Sequence, residues 1–382
     1  MCKAHFNEFI ITYRRKMMKI LLKSALATAI LAATVTTAQA KTDLVVVSWG
    51  GAYTKSQQKA YSNPFMANNP DINIVNDDSS AEGAAKLRAQ AEAGKVTWDV
   101  VDVLPDVAIA LCDEGLAIEI DPEKDLARGA NGVSATEDFG AALISPCFIP
   151  EIVYSTTFGY RTDKVGSTPP STIADVFDTK KFPGKRALQK SPSGNLEWAL
   201  VADGVAIKDV YKELATEAGV KRAFKKLDTI KKDVVWWTKG AQPGQLLADG
   251  EVIMASAYNG RLFSAIVENK QPVGMMWDAQ VFELDGYIIP KGAPHMKEAM
   301  AYVKFATDTK RQADQAKFIS YGPARASSAA LVGKHAELGI DMAPHMPTAP
   351  ANSKNVIYKD INFWADHKDE LSEKFEAWLA KG

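Results

Sequence analysis

At 382 residues with 47% hydrophobic side chains, the chain is long enough to bury two cores. Its 45 basic and 46 acidic residues leave a net charge of -1, which excludes the basic excess of a polyanion binder and, with it, nucleic acid as a partner. Three cysteines and five histidines, with no C-x-x-C and no His-x-x-x-His spacing, indicate neither a zinc site nor a redox motif, so no metal and no cofactor is expected.

Lys19 and Lys23 flank the start of a short apolar run, 21–33, that closes on Ala38-Gln39-Ala40. This is the pattern of a secretory signal peptide with an A-x-A cleavage site. The run is too short and too rich in small residues for the alternative, a stable membrane span. Residues 1–40 are therefore assigned to a cleaved signal that starts at Met1, Met17 or Met18, and the mature chain begins at Lys41 in an oxidising compartment. That leaves Cys112 and Cys147, and an even count there favours a disulfide over two separate buried thiols.

Residues 43–49 form an apolar run of strand length ending in Trp49; Gly50 and Gly51 follow, and a helical stretch covers 53–68. Strand, glycine turn and helix open an α/β fold. Backbone amides in such a turn can receive an anion, and an aromatic at a strand end makes a ligand wall. Trp49, Gly50 and Gly51 are thus candidate binding residues, although the glycines serve turn geometry equally well. A strand at 72–75, a helix at 81–93 stopped by Gly94, a buried strand at 97–103 and a helix at 105–112 continue in βαβα order. Ligands of open parallel sheets sit beyond the carboxyl ends of the strands, which groups Trp49 and Gly50 with Asp102. Asp102 is read either as a site residue or as a helix cap.

Residues 115–147 read as polar loop, and 149–160 as one long extended segment able to cross between domains. A second α/β region begins at Pro169-Pro170 and 172–177, with a turn and strand at 182–188 and a helix starting over 194–201. Glu197 lies in the first turn of that helix, where the dipole favours a carboxylate whether or not it also meets a ligand. An amphipathic helix at 215–230 turns Lys221, Arg222, Lys225 and Lys226 to solvent. The strand at 234–237 carries paired indoles, Trp236 and Trp237, one of which must face the other way.

A short helix at 245–248 and a strand from Glu251 lead into Ala-Ser-Ala-Tyr-Asn-Gly-Arg at 255–261. There Tyr258, Asn259 and Arg261 put an aromatic, an amide and a guanidinium at a strand end, and Asn259-Gly260 predicts a turn. A planar guanidinium suits a carboxylate or a phosphate. Beyond it come a helix to 268, extended runs at 273–277 and 282–290, helices at 294–308 and 310–318, a turn at Tyr321-Gly-Pro323 and a closing helix at 363–380. Asp285 lies between apolar neighbours in the 282–290 run. An aspartate there is expensive unless it is paired or at an edge, so it is a candidate for receiving a ligand cation.

No catalytic triad emerges, because His295, His335, His345 and His367 fall in loop or helix-surface contexts with no spaced nucleophile. An enzyme is not expected; a secreted hydrolase and a structural or sensor-coupled protein are the other classes open. Ser48-Trp-Gly-Gly-Ala-Tyr53, Phe182-Pro-Gly-Lys-Arg186, Leu247-Ala-Asp-Gly-Glu-Val252, Tyr258-Asn-Gly-Arg261, Pro290-Lys-Gly-Ala-Pro294 and Tyr321-Gly-Pro323 resemble the extracellular solute-binding proteins of the spermidine/putrescine-type ABC importers. The resemblance covers essentially the whole mature chain. It implies a two-lobed type II periplasmic binding fold, with a ligand cleft between two α/β lobes. Hinge crossovers at 153–157 and 257–259, and a third near Tyr321, bring Thr156, Asn259 and Tyr321 to the cleft. It further implies lobes of 41–154 with 260–320 and of 155–259 with 321–382, and a monomer in the periplasm that delivers its solute to an inner-membrane permease driven by an ATPase pair.

The chain departs from the polyamine pattern of that family at two positions. The acidic residue that follows the first-strand Trp in polyamine binders is replaced by Gly50-Gly51, and the acidic residue that ends the hinge motif by Arg261. Asp285 matches a retained aspartate that holds an amine. One carboxylate kept and another exchanged for a guanidinium suit a zwitterion, and repel the second amine of a polyamine. The expected ligand is therefore a small amino-carboxylate such as 4-aminobutyrate, with Arg261 on the carboxylate, Asp285 on the ammonium, and Trp49, Trp237 and Tyr258 as walls. The alternative is a putrescine- or spermidine-type polyamine with Arg261 turned outward.

Overall fold

The computed structural model describes residue 18 and residues 41–381; the expected signal peptide, with its cleavage site, lies outside the described residues. Strand β1 (Thr42–Val47) is followed by Ser48, Trp49 and the glycine pair, and helix α1 starts at Gly51–Gln57, widens into a π turn over Gln58–Ser62 and continues through Asn63–Asn68. Strand β2 (Ile72–Asp77), helix α2 (Gly83–Glu92), strand β3 (Val100–Val103) and helix α3 (Pro105–Asp113) follow in the expected order. Both β2 and β3 pair parallel to β1. Parallel central strands are covered on both faces. Leu44, Val46 and Val100 accordingly pack with Tyr61 and Phe65, while Val47, Val101 and Val103 pack on the opposite face with Leu87, Leu111 and Phe148.

The stretch 115–147, expected to be loop, holds short helices at Pro122–Asp125 and Ala135–Phe139, each begun by a side-chain cap, from Asp121 and Ser134. A single turn of helix carries no periodicity for a sequence pattern to reveal. Cys112 and Cys147 are joined in a disulfide across a separation of 35 residues. It ties the end of α3 to the chain entering β4 (Ile149–Arg161). Replacing both cysteines by serine is expected to lower stability by about 3–4 kcal/mol on the chain-entropy account. The check is a urea titration, in which the midpoint falls against the disulfide-bonded protein; an unchanged midpoint contradicts it.

The second lobe is built on β5 (Arg186–Gln189), helix α4 (Asn195–Ala202), helix α5 (Glu217–Asp228), β6 (Val234–Trp237) and β7 (Met254–Tyr258). Its core joins Phe158, Leu188, Trp198, Leu227, Trp364 and Phe375. The paired indoles face opposite ways, Trp236 against Phe375 and Trp378, and Trp237 against Tyr258. After β7 the predicted Asn-Gly turn does not occur: Asn259–Phe263 is helix α6, running into a π turn at Ser264–Glu268. Gly260 is small for a different reason, since a Cβ there would lie 2.5 Å from the Tyr321 ring. Close approach of two elements, not a positive φ, accounts for that glycine.

Strand β8 (Val273–Ile288) joins what the sequence divides into two runs. It pairs antiparallel with β4 from Ile149↔Tyr287 to Arg161↔Val273, with a register shift between Thr156 and Phe158. Asp278 and a left-handed Ala279 (φ 54°) occupy the extra residues, and such an irregularity hides strand continuity from a period-two pattern. Helices α7 (Met296–Ala306) and α8 (Thr309–Gln315), the short strands β9 (Gly322–Pro323) and β10 (Val356–Tyr358), and helix α9 (Ile361–Leu379) complete the chain. The sheet order is β2-β1-β3-β8-β4-β7-β5-β6, with β9 on β4 and β10 on β8. The long pair β4 and β8 thus belongs to both lobes. Among the described residues, no helix is long and apolar enough to cross a membrane.

Candidate functional site

Beyond the end of β1 and against β4, β7 and β8, Trp49, Tyr53, Tyr154, Tyr258 and Tyr321 enclose a cavity of about 40 Å³, together with Leu104, Ile152, Arg261 and Asp285. The rings brace one another edge to face, with centroids 5.7 Å apart for Tyr53 and Tyr321, 5.5 Å for Tyr154 and Tyr258, and 6.0 Å for Tyr154 and Tyr321. Each such contact adds roughly 0.5–1.5 kcal/mol to the area it buries. The box is therefore stiff and apolar, and its lining carries one cation and one anion.

Arg261 enters from the first turn of α6. Its Nη2 donates to the Trp49 carbonyl at 3.2 Å. Its Nε, and the indole Nε1 of Trp49, are buried with no partner among the described residues, which leaves donors for something else to satisfy. Gly51 has φ 63°, and a Cβ on it would stand 2.5 Å from Arg261 Nη1. The two departures from the polyamine pattern are thus one feature: the glycine makes room for the guanidinium. Gly50, also at positive φ, donates its N–H to Thr54 Oγ1 at 2.9 Å and packs on Asp78.

Asp285 faces the cavity from β8 and accepts the N–H of Gly286 at 3.0 Å. Burial, reinforced by Glu151, holds its pKa well above the usual carboxylate range. Behind it Asp102 and Glu151 lie fully buried. Gln57 Nε2 donates to Asp102 at 2.7 Å and to Glu151 at 3.0 Å, and the Tyr53 hydroxyl donates to Glu151 at 3.0 Å. Burial raises both, that of Asp102 further through repulsion by Glu151 and Asp285. Asp102 is therefore neither of the alternatives read from sequence: Leu104 occupies the cap position of α3, and the Asp102 carboxyl sits behind Tyr53 without lining the cavity.

These raised carboxyls carry a signed pH dependence. Unfolded, they ionise at about pH 4; folded, they keep their protons to higher pH. Between the two values the native state binds more protons, so their contribution is complete below the unfolded pKa and is lost as pH rises through the folded one. Asp102→Asn should flatten that decline, at about 1.4 kcal/mol for each pH unit of window removed. Melting curves of the ligand-free protein should place the variant above the wild type at pH 8 and level with it at pH 4. Parallel curves for the two proteins contradict the assignment.

The other residues singled out from sequence are placed differently. Thr156 donates to Glu283 at 3.3 Å and faces an adjoining chamber. Trp237 backs Tyr258, with centroids 5.7 Å apart, and is not on the cavity wall. Asn259 accepts the Ser155 N–H at 3.0 Å and donates to the Ser320 carbonyl at 2.6 Å, so it ties three crossing segments together. Glu197 is outside the cavity: it accepts the Gly194 N–H at 2.8 Å, the Trp364 indole at 2.8 Å and the Tyr211 hydroxyl at 3.1 Å. The helix-start reading of Glu197 is the one the structure contains. Sequence reasoning missed Tyr53, Leu104, Ile152 and Tyr154. Tyr53 ends the quoted Ser48–Tyr53 motif, and the alternation Ile152, Tyr154, Thr156 on the crossover was the available signal for Ile152 and Tyr154; Leu104, at the start of α3, had none.

Residues 60–348 match the family described as bacterial extracellular solute-binding proteins. The gamma-aminobutyric acid-binding protein of Pseudomonas aeruginosa is 36% identical over 338 residues, covering 88% of this chain and 91% of that protein. Among solved structures, the binding protein MotA of A. tumefaciens in complex with glucopine aligns at a TM-score of 0.78 with 32% identity, over 88% of this chain and 99% of that one. A GABA receptor structure aligns at 0.73 with 35% identity, over 89% and 98%. A box of rings bearing one cation and one anion, set where long crossovers join two α/β lobes, suits a solute receptor. With that match over most of its length, the chain belongs to the bacterial extracellular solute-binding proteins of ABC transporters, in the two-lobed type II fold.

Proposed function

We propose that this protein captures a small zwitterionic amino-carboxylate, with 4-aminobutyrate as the specific ligand, in the periplasm. The observation that carries the reading is the pair Arg261 and Asp285, the charged groups of opposite sign among the residues lining an otherwise aromatic and aliphatic cavity. Arg261 takes the carboxylate through a forked pair of N–H donors, Asp285 takes the ammonium, and Trp49, Tyr258 and Tyr321 flank the methylenes, with Tyr53 and Tyr154 completing the wall. Binding of 4-aminobutyrate by the relative from Pseudomonas aeruginosa supports the same choice. An arriving ammonium favours ionised Asp285, so binding releases a proton where the empty site holds one.

The lobes divide at the crossovers, 41–154 with 260–320 against 155–259 with 321–382, except that Leu262, Val273, Met276, Ala279 and Val281 pack with second-lobe residues, while Val332, Met342 and Met346 pack with Phe263 and Ala316 and Arg325 pairs with Asp138. Asn259 is the hinge tie. The closed monomer hands its solute to an inner-membrane permease driven by an ATPase pair, and catalyses nothing. Calorimetry on protein refolded to remove endogenous ligand tests the choice of solute. The expected result is 4-aminobutyrate bound more tightly than putrescine; the reverse order overturns it in favour of the polyamine reading.

A further inference from the structure

Helices α3 and α9 belong to different cores. Ala108 and Leu111 of α3 pack with Val47, Val101 and Phe148, whereas Trp364, Leu371 and Phe375 of α9 pack with Trp198 and Leu227. The two helices nevertheless meet through an ion pair, since Lys368 Nζ on α9 lies 2.5 Å from Asp106 Oδ2 in the first turn of α3. That pair joins one lobe to the other. Its two ends differ in burial, with Asp106 only 8% exposed and the Lys368 side chain about half-exposed.

A second lysine reinforces the first. Lys359, in the turn between β10 and α9, pairs with Glu283 at 2.6 Å and also acts on Asp106. Burial pushes the Asp106 carboxyl up, but Lys359 and Lys368 outweigh it and hold the group below the usual carboxylate range. Asp106 is thus an anion of the first lobe seated against two cations of the second. Its Oδ1 has no partner among the described residues, so without those lysines a charge would be left buried and unpaired, which is costly. When the lobes part, Asp106 and Lys368 both return to water, and the pair therefore favours the closed form alone. Leu104, two residues before Asp106, lines the aromatic pocket, whereas Asp106 and Lys368 do not. The movement that lays Leu104 against a solute also brings Asp106 to Lys368.

Resting on the capture of a solute between closing lobes set out above, we propose that Asp106 and Lys368 are positioning residues that clasp the closed lobes and set how long the solute is held, separately from the Arg261 and Asp285 pair that selects it. The clasp does not touch a solute in the pocket, so it lengthens the closed state by the same factor whether the pocket is filled or empty. It forms only after entry, and its loss acts on release and leaves association unchanged.

Dyes attached at Lys95→Cys on the first lobe and Lys225→Cys on the second, both exposed positions, let single-molecule energy transfer read the lifetime of the closed state with and without 4-aminobutyrate. Lys368→Met should shorten that lifetime roughly tenfold in both conditions, between the small effect of an exposed pair and the large one of a buried pair, and leave the association rate unchanged. Lys368→Arg, which keeps the charge, should retain most of the lifetime. Combined with Asp106→Asn, Lys368→Met should cost no more than Asp106→Asn alone, because the two residues act as one pair. An unchanged lifetime in Lys368→Met, or losses that multiply in the double variant, overturns the clasp. A wild type that does not respond to 4-aminobutyrate removes the assignment of the solute alone, since the lifetime without it still decides the clasp, and a protein that closes in neither condition overturns both.

Discussion

Arg261→Ala is expected to weaken 4-aminobutyrate binding by about 2–5 kcal/mol, roughly 30-fold to several thousand-fold in Kd, the usual cost of truncating one partner of a desolvated charge pair. The size of the effect follows from the surroundings. Nε is buried and unpartnered, and the guanidinium's protein hydrogen bond is the one from Nη2 to the Trp49 carbonyl, so most of its donors are available to a carboxylate. Nothing else lining the cavity carries positive charge, and no neighbour can substitute for it. The same sparse bonding means the fold does not depend on this side chain, and the melting temperature of the empty variant should stay near that of the wild type. Arg261→Lys should recover part of the affinity, because a point charge lacks the planar fork. An alanine variant that bound 4-aminobutyrate as tightly as the wild type would remove Arg261 from the site.

Asp285→Asn should separate binding from stability. Binding should fall by at least as much as for Arg261→Ala, because the ammonium then lies against a neutral amide. Stability should hold or rise. Asp285 is 4% exposed and shares its surroundings with Asp102 and Glu151, which are wholly buried. None of the three has a lysine or arginine partner among the described residues, so one carboxyl fewer relieves a repulsion that burial makes expensive. Receptors keep such destabilising groups where the ligand itself is the missing counter-ion. Calorimetry and thermal melts on one preparation check both halves. A variant that is clearly less stable than the wild type would instead assign Asp285 a structural role in β8.

How much of this was legible beforehand depends on the range over which each residue acts. The glycine pair after Trp49, the run at 149–160, the cysteine pair and Asp285 between apolar neighbours are local patterns, and β1, β4, the disulfide and a buried aspartate follow them. Glu197 and the Asn259-Gly260 pair have equally plain local patterns, and there the outcome turned on partners far away in sequence: Trp364 and Tyr211 for the first, Ser155, Ser320 and Tyr321 for the second.

The sequence by itself determined the α/β character of the chain, because periodicity and turn residues are properties of short segments, and its ordered motifs carried the resemblance to a solute-binding family from which the expectation for Arg261 and Asp285 came. Only the tertiary structure decided which residues share a cavity. Tyr53, Tyr154 and Tyr321 lie on different elements and meet at 5.7 and 6.0 Å. The space beside Arg261 exists because Gly51, 210 positions earlier in the chain, lacks a Cβ. The acid pair behind Tyr53 joins residues 102 and 151 through Gln57. Such contacts are set by sheet register and lobe packing, and no local spacing encodes them.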